Sequence, residues 1–456
     1  MPKKKNNINT AGAIVSTPNK LTRSIGEITE EAYILYGGYV SNSRALPRVS
    51  DGLKVSIGRL IWGAMQFPKG KDIPTDTLIP TMQQWHPHGI ASMHETAAHL
   101  VRDGIFSGHG FFGFTSIDGV VSPPAAGRYT KTRLSDLYWE ILGDTTKPEF
   151  INFVESPQGP EEPSGFIVPL PICLYQKIQT MGLSVGCRTN IPSFSAKSIF
   201  AAMKANDPSL LESSVDLIID KKNSELDKLW RTGRGKVTLA YKISRQKSED
   251  GKSEGILFES ADRCSTDIFT PKISKFDKLV EDGKVYIEDL TDENGPKLFI
   301  GRVPGARNIT IDDIEALARK ICYAKIDYQV WVTDGTKAFR IPIKDWVEYT
   351  YNNYLEAIQK VNEHRIDKVR FDIAVQEALP LISNYIINEN PKASDTEIMK
   401  VFQMPKEIVE AVMAKPISQL RKNKDNSERI KALKDKLKEL KKFDPVAYTE
   451  EIINKL

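Results

Sequence analysis

The chain has 456 residues, of which 40% are hydrophobic and 27% charged, and a net charge of +4. That length predicts roughly two to four domains with cores of their own, and the composition excludes a disordered, collagen-like or disulfide-framed chain. No apolar run reaches the length of a membrane span, and the basic N-terminus has no apolar stretch behind it, so neither a membrane protein nor a secreted one is expected.

Residues 1–20, with Lys3, Lys4 and Lys5, read as a solvated, disordered tail rather than a nuclear address. From about 21 to 148, short helical patterns alternate with Gly-rich turns. Thr29 is placed to N-cap a helix that opens with Glu30 and Glu31 and runs toward Ser41. Ala91 to Val101 predicts a second helix, set off by Pro87 and Gly89. Gly104 to Gly127 is rich in glycine and aromatics and predicts loops and short strands.

Residues from about 149 to 337 read as α/β. Val237–Ile243, Lys284–Ile287 and Leu298–Ile300 are β-branched and aromatic, hence strands, and Ile311 to Cys322 is a helix between strands. Ser248 to Ser253 is a polar hairpin tip. Residues 338–456 are mostly helix. Trp346, Tyr349, Tyr354, Ile358, Val361 and Ile373 predict one long amphipathic helix. Ile430, Leu433, Leu437 and Leu440 follow the 3-4-3 spacing of a coiled-coil seam. Between them, Pro380 to Met404 has proline and asparagine breaks and predicts a small head. Such an arm either packs on the body or carries a dimer contact away from it.

Cys173, Cys187, Cys264 and Cys322 are scattered without CxxC spacing, which disfavours a zinc site or disulfides and fits a reducing cytoplasm. Five of the six histidines fall between His86 and His109. His86 and His88 flank a proline, and no carboxylate joins them at ligand spacing. Phosphate contact or structural hydrogen bonding therefore outranks a metal cluster. The stretch Trp85-His-Pro-His-Gly89 feeds a helix start, where free N–H groups attract anions. Tyr129 follows the small residues Ala125-Ala-Gly and Arg128. A phenol, with its pKa of about 10, needs cationic neighbours to act as a nucleophile. Arg128, Arg44 and the histidines are candidates, yet Tyr129 is one of fifteen tyrosines and local chemistry alone leaves a structural role open. Arg231-Thr-Gly-Arg234-Gly-Lys236 has the texture of a phosphate-touching loop.

Seven stretches, in order, resemble the A subunit of bacterial type IIA topoisomerases (DNA gyrase and topoisomerase IV) and the medium subunit of the phage enzymes. They are Ser43–Lys54 (SRALPRVSDGLK), Trp85–Gly89 (WHPHG), Gly113–Gly119 (GFTSIDG), Ala125–Leu134 (AAGRYTKTRL), Gly182–Pro192 (GLSVGCRTNIP), Trp230–Val237 (WRTGRGKV) and Met413–Leu420 (MAKPISQL). The resemblance implies an α+β multidomain fold: a winged-helix DNA-binding domain over 21–148, an α/β tower over 149–337, and over 338–456 a long antiparallel coiled coil with a small helical C-gate dimerisation head. The α/β middle and the helical hairpin also follow from the residues themselves; the winged helix does not.

Carried over by position, Tyr129 is the nucleophile, Arg128 its neighbour on the scissile phosphate, and Arg44 an aid to the transition state. His86 and His88 meet active-site phosphates, and Lys54 and Arg59 the DNA backbone. Leu183 matches an apolar wedge that unstacks a base step, and Arg231, Arg234 and Lys236 a further DNA-side loop. The chemistry implied is reversible transesterification through a 5′-phosphotyrosine, opening a gate in one duplex for passage of another. Leaving-group departure needs a metal, and the sequence has no acidic DxD cluster. The resemblance therefore puts Mg²⁺ and ATP hydrolysis on a B-type partner, in a heterotetramer of two copies of each chain. It also implies an ATP-dependent isomerase acting on double-stranded DNA, in a bacterial or phage-infected cytoplasm on the nucleoid.

Three departures qualify this. Ile57 and Gly58 stand where the family often has histidine and arginine, so DNA grip is expected to be weaker there or supplied elsewhere. Ile90 and Ala91 replace an acidic residue and a serine, so low quinolone sensitivity is expected although Glu95 keeps an acidic position. The chain stops after the coiled coil, so relaxation and decatenation are expected over negative supercoiling. A non-catalytic DNA-binding homologue is the alternative, against which the intact Arg128–Tyr129 pair speaks. A type IIB or meiotic cleavage protein carries its metal site in the same chain, which this sequence does not show.

Overall fold

The computed structural model describes residues 24–87, 89–115, 121–156, 159–177, 180–214, 217–259, 272–292, 295–415 and 426–456. The basic tail, His88, Cys264, the end of the third stretch (116–119) and the end of the seventh (416–420) lie outside them.

Helix α1 spans Ile25–Val40, five residues earlier than Thr29 predicts. Ser24 supplies the cap, in a reciprocal box with Glu27, which satisfies two of the otherwise orphaned N–H groups. Thr29 is instead interior, its hydroxyl donating to the Ile25 carbonyl at 2.8 Å. Helix α2 (Val55–Met65), the two-residue strand β1 (Ile73–Pro74), α3 (Thr75–Met82) and α4 (Ile90–Arg102) follow. Strands β2 (Phe106–His109), β3 (Phe114–Thr115), β4 (Val121–Ser122) and β5 (Lys131–Leu134) come next, then α5 (Asp136–Leu142) and the hairpin β6 (Phe153–Glu155) and β7 (Glu161–Pro163). Strands β1, β5 and β2 form a small antiparallel sheet, with β5 central. Leu53, Leu60, Leu78, Met82, Leu100, Phe106 and Leu134 bury their side chains between it and the helices.

The middle is one antiparallel sheet, ordered β13-β14-β12-β11-β15-β9-β8, with β10 also on β11. Its strands are β8 (Met181–Ser184), β9 (Cys187–Asn190), β10 (Leu217–Ile219), β11 (Arg234–Lys247), β12 (Glu254–Glu259), β13 (Val285–Asp289), β14 (Lys297–Arg302) and β15 (Tyr323–Gln329). The fourteen-residue β11 is the spine: its first half pairs with β15 and its second with β12. Helices α6 (Ala196–Ala205), α7 (Leu226–Thr232), α8 (Asp277–Glu281) and α9 (Ile311–Ile321) accompany it. The predicted strands, the α9 helix and the Ser248–Ser253 tip all stand where expected; Ser248 N–H donates to the Ser253 carbonyl at 2.8 Å. A short hairpin, β16 (Trp331–Thr333) and β17 (Ala338–Arg340), leads into the last part.

Helix α10 runs 46 residues, Ile343–Asn388. Trp346 and Val347 are buried in the middle core while Tyr354 and Ile358 join the N-terminal one, so its root is seated in both. It continues through Pro380, where the sequence predicts a break. Proline has no N–H, so the carbonyl of Gln376 loses its helical donor. Asn426 fills the vacancy, its Nδ2 donating to that carbonyl at 3.2 Å. The head therefore begins beyond Asn388, as α11 (Asp395–Phe402) and α12 (Lys406–Met413), whose Ile398 and Val409 share a core with Leu379 and Ile382 of α10. Helix α13 (Ser427–Leu440) returns antiparallel to α10. Lys434 pairs with Glu377 at 2.8 Å, and Asn362 donates to the Leu440 carbonyl at 3.0 Å. Ile430, Leu433, Leu437 and Leu440 are half-buried on this face, while the rest of α13 is exposed. Helix α14 (Pro445–Lys455) packs against both cores.

Candidate active site

Tyr129 sits on a single 3-10 turn, Gly127–Tyr129, that feeds directly into β5. The turn is tied down from below. Thr75 N–H donates to the Thr130 carbonyl at 3.1 Å, and the Thr130 hydroxyl donates to that of Thr75 at 2.8 Å. Gly127 lies flat on the start of α3, and a Cβ there would overlap the Asp76 carboxylate. So held, Tyr129 projects outward, 69% exposed. The Arg128 guanidinium lies over its ring, 4.7 Å from the centroid. A cation at that place attracts any anion brought to the ring.

Sheet register supplies further groups. His109 is opposite Lys131, and Asp72 joins His109 (3.3 Å) to Arg133 (3.1 Å). The sequence alone assigns His109 no individual role. Its proximity comes from β2–β5 pairing across 22 residues of chain, which spacing does not disclose.

The other candidates gather elsewhere. Arg44 and Lys54 line a cleft of about 400 Å³ shared with Ile57, His99, Asp103 and Met181. Arg44 is exposed and stacks its guanidinium 5.6 Å from the Tyr39 ring centroid. Lys54 is half-buried and donates to the Met181 carbonyl at 2.6 Å. Burial holds its ammonium pKa below the usual lysine value. Two residues beyond Met181, Leu183 is 77% exposed on the β8–β9 hairpin, which Ser41 and Ser184 brace through a 2.6 Å contact between hydroxyls. Arg231, Arg234 and Lys236 are exposed at the α7–β11 junction; Arg231 pairs with Asp227 at 2.7 Å.

Burial sets two of the candidates apart. Arg59 does not reach the surface: it is 9% exposed, and its guanidinium grips Glu162 bidentately at 2.7 and 2.6 Å. Its third contact is His86 Nδ1 at 3.2 Å, and His86 itself is 4% exposed. Neither lies on a surface open to a DNA backbone. Gly58 also has a structural reason. The guanidinium of Arg48 occupies the space a Cβ at 58 would need, and Arg48 is held there by the buried Asp51 at 2.6 Å. Ile90 and Ala91 are exposed on the first turn of α4, with Glu95 one turn on, 3.6 Å from His99. Among the described residues, no three His, Cys, Asp or Glu side chains stand together as a metal site. Asp72, the carboxylate beside the Tyr129 sheet, is already shared between His109 and Arg133.

The chain belongs to the family of DNA gyrase and topoisomerase IV A subunits, whose model matches residues 44–456. Among relatives, it is 25% identical to the DNA gyrase A subunit of Brachyspira hyodysenteriae over 94% of this chain and 54% of that protein. It is 28% identical to the DNA gyrase A subunit of Metamycoplasma arthritidis over 52% of this chain and 28% of that one. It is 24% identical to the DNA topoisomerase 4 A subunit of Staphylococcus aureus over 86% of this chain and 52% of that one. The chain thus spans about half the length of the first and third of these, and less of the second. Among the described residues, no helix is long and apolar enough to cross a membrane.

Proposed function

We propose that this chain is the DNA breakage-reunion subunit of a type IIA topoisomerase, with Tyr129 as the nucleophile. The observation that carries the reading is the exposed Tyr129 under the Arg128 guanidinium, in a chain whose family match runs from 44 to 456. The phenol gives up its proton and its oxygen attacks a backbone phosphorus. The bond from phosphorus to the 3′ oxygen breaks, and that oxygen leaves as a hydroxyl. The strand's 5′ end is retained as a phosphotyrosine ester, and attack by the 3′ hydroxyl reverses the sequence. Arg128 stabilises the added charge on the five-coordinate phosphorus.

In this reading residues 21–148 form a winged-helix unit, 149–337 a tower, and 338–456 a coiled coil with a dimerising head. Arg44 and Lys54 approach phosphates, Leu183 wedges a base step, and Arg231, Arg234 and Lys236 follow the flanking duplex. Magnesium and ATP hydrolysis belong to a B-type partner chain, two copies of which join two of this one. Broken duplex admits a second duplex, so the outcome is relaxation or decatenation in a bacterial or phage-infected cytoplasm. The test is cleavage of end-labelled DNA by the chain with its B-type partner and Mg²⁺, trapped with detergent. Wild type is expected to yield a covalent adduct and Tyr129→Phe none. An adduct persisting in Tyr129→Phe removes Tyr129. DNA bound by wild type without any adduct makes the chain a non-catalytic homologue.

A further inference from the structure

Strand β7 meets the stretch Trp85–Pro87 through two consecutive residues. The Glu161 carbonyl accepts from Trp85 Nε1 at 3.0 Å. The Glu162 carboxylate grips Arg59, whose Nη1 lies 3.2 Å from His86 Nδ1. Trp85 is held edge-on by Trp62, which meets Phe153 of β6 in the same way. Glu162 lies 103 residues from Arg59 along the chain, yet Glu162, Arg59 and His86 form one buried relay between α2, the Trp85–Pro87 stretch and the hairpin.

Arginine has only donors. The Arg59 N–H can therefore bond His86 only if Nδ1 is an unprotonated acceptor. A neutral imidazole then carries its proton on Nε2. A protonated ring would set N–H against N–H and cation against cation at that contact. The pair with Glu162 meanwhile balances the Arg59 charge, so the relay adds no net charge around His86 when the ring is neutral.

We infer that Arg59 and Glu162 are positioning residues: they hold His86 as the neutral Nε2–H tautomer and fix the Trp85–Pro87 stretch that leads into α4. This rests on the proposed cleavage function only for its consequence, not for the relay itself. Helix α4 opens at Ile90 behind Gly89, with no side-chain cap. Its direction is thus set by what holds the chain just before it. His86 is not a general acid or base here, because taking a proton on Nδ1 breaks the Arg59 contact. A displacement of α4 by about 1 Å moves the groups it presents out of register with the nucleophile, which is enough to lower a rate by roughly 100-fold.

The experiment uses the full chain labelled with ¹⁵N at histidine. Two-bond ¹H–¹⁵N correlations are expected to show His86 with Nε2 protonated and Nδ1 bare at neutral pH. Arg59→Lys is expected to abolish that fixed pattern, and Glu162→Gln, nearly isosteric, to weaken it while the chain stays folded. With the B-type partner and Mg²⁺, both variants are expected to lose about 10- to 100-fold in cleavage. A wild-type His86 that is doubly protonated or carries its proton on Nδ1 overturns the inference. So does an unchanged His86 spectrum in folded Arg59→Lys. Failure of the cleavage reading shows up separately, as an adduct surviving Tyr129→Phe, and leaves the spectrum untouched.

Discussion

The residues that sequence singles out divide into two groups that sequence does not tell apart. Tyr129 and Arg128 stand on a tight turn and Leu183 near the tip of the β8–β9 hairpin, all exposed over backbone anchored from beneath. Arg59 and His86 are buried, and they meet each other and Glu162 in the interior. Both groups match the same family by position, and both contain basic side chains. The difference teaches that a basic residue in a motif has two ways to matter: by meeting the ligand, or by holding what does. Substitution separates them, because a residue of the first kind can be removed with little loss of stability and one of the second kind cannot.

The largest expected effect lies in the buried group. Arg59→Ala leaves Glu162 as an unpaired buried carboxylate, and Glu162→Ala leaves the guanidinium. Either is expected to cost about 3–5 kcal/mol of stability. Tyr129→Phe and Leu183→Ala remove exposed groups and are expected to stay within about 0.5 kcal/mol. Urea midpoints at constant slope report both. Equal losses in the two groups would dissolve the distinction.

Next is the footing of the exposed group. Gly127→Ala pushes a methyl into the Asp76 carboxylate and is expected to cost about 1–3 kcal/mol. Gly127→Ala combined with Asp76→Ala is expected to recover most of that, because the clash needs both partners. A double variant no more stable than the single one means the turn, not the contact, demands glycine.

Much of the frame was legible because it depends on short-range pattern. β-Branched and aromatic runs marked β11, β13 and β14, and the apolar spacing of Ile430, Leu433, Leu437 and Leu440 marked the seam that faces α10. What was not legible depends on partners far along the chain. Arg59 looks like a surface cation until Glu162 arrives 103 residues later. His109 looks unrelated to Tyr129 until β2 pairs with β5. Thr29 lost to Ser24 for a local reason: the Ser24–Glu27 box closes both ways, and a helix started there gains a turn.

Pro380 is the clearest case of distance overriding a local rule. Asn426, 46 residues on, replaces the hydrogen bond that proline removes. Asn426→Ala is therefore expected to destabilise the arm by about 1 kcal/mol. In a Pro380→Ala background the Gln376 carbonyl recovers its helical donor, so the same substitution is expected to cost less. A double-mutant cycle of thermal midpoints checks the coupling, and additive effects would separate the two residues.

Lys54 lies between the two groups, half-buried with an internal acceptor, and its titration shows which group it belongs to. Its folded pKa is lowered by burial, so between that value and the ordinary lysine value the unfolded chain binds more protons than the folded one. Stability contributed by Lys54 therefore rises with pH across that window, is full above the unfolded pKa, and is lost as pH falls through the folded one. Lys54→Met is expected to flatten this alkaline rise, the smallest of these effects. If Lys54 also meets a DNA phosphate, binding must restore the charge that burial disfavours. DNA affinity of the wild type is then expected to fall as pH climbs through the lowered pKa, while Lys54→Met stays level over the same range. Parallel pH profiles for the two proteins would place Lys54 with Arg59, as a residue that holds the site rather than one that touches what the site binds.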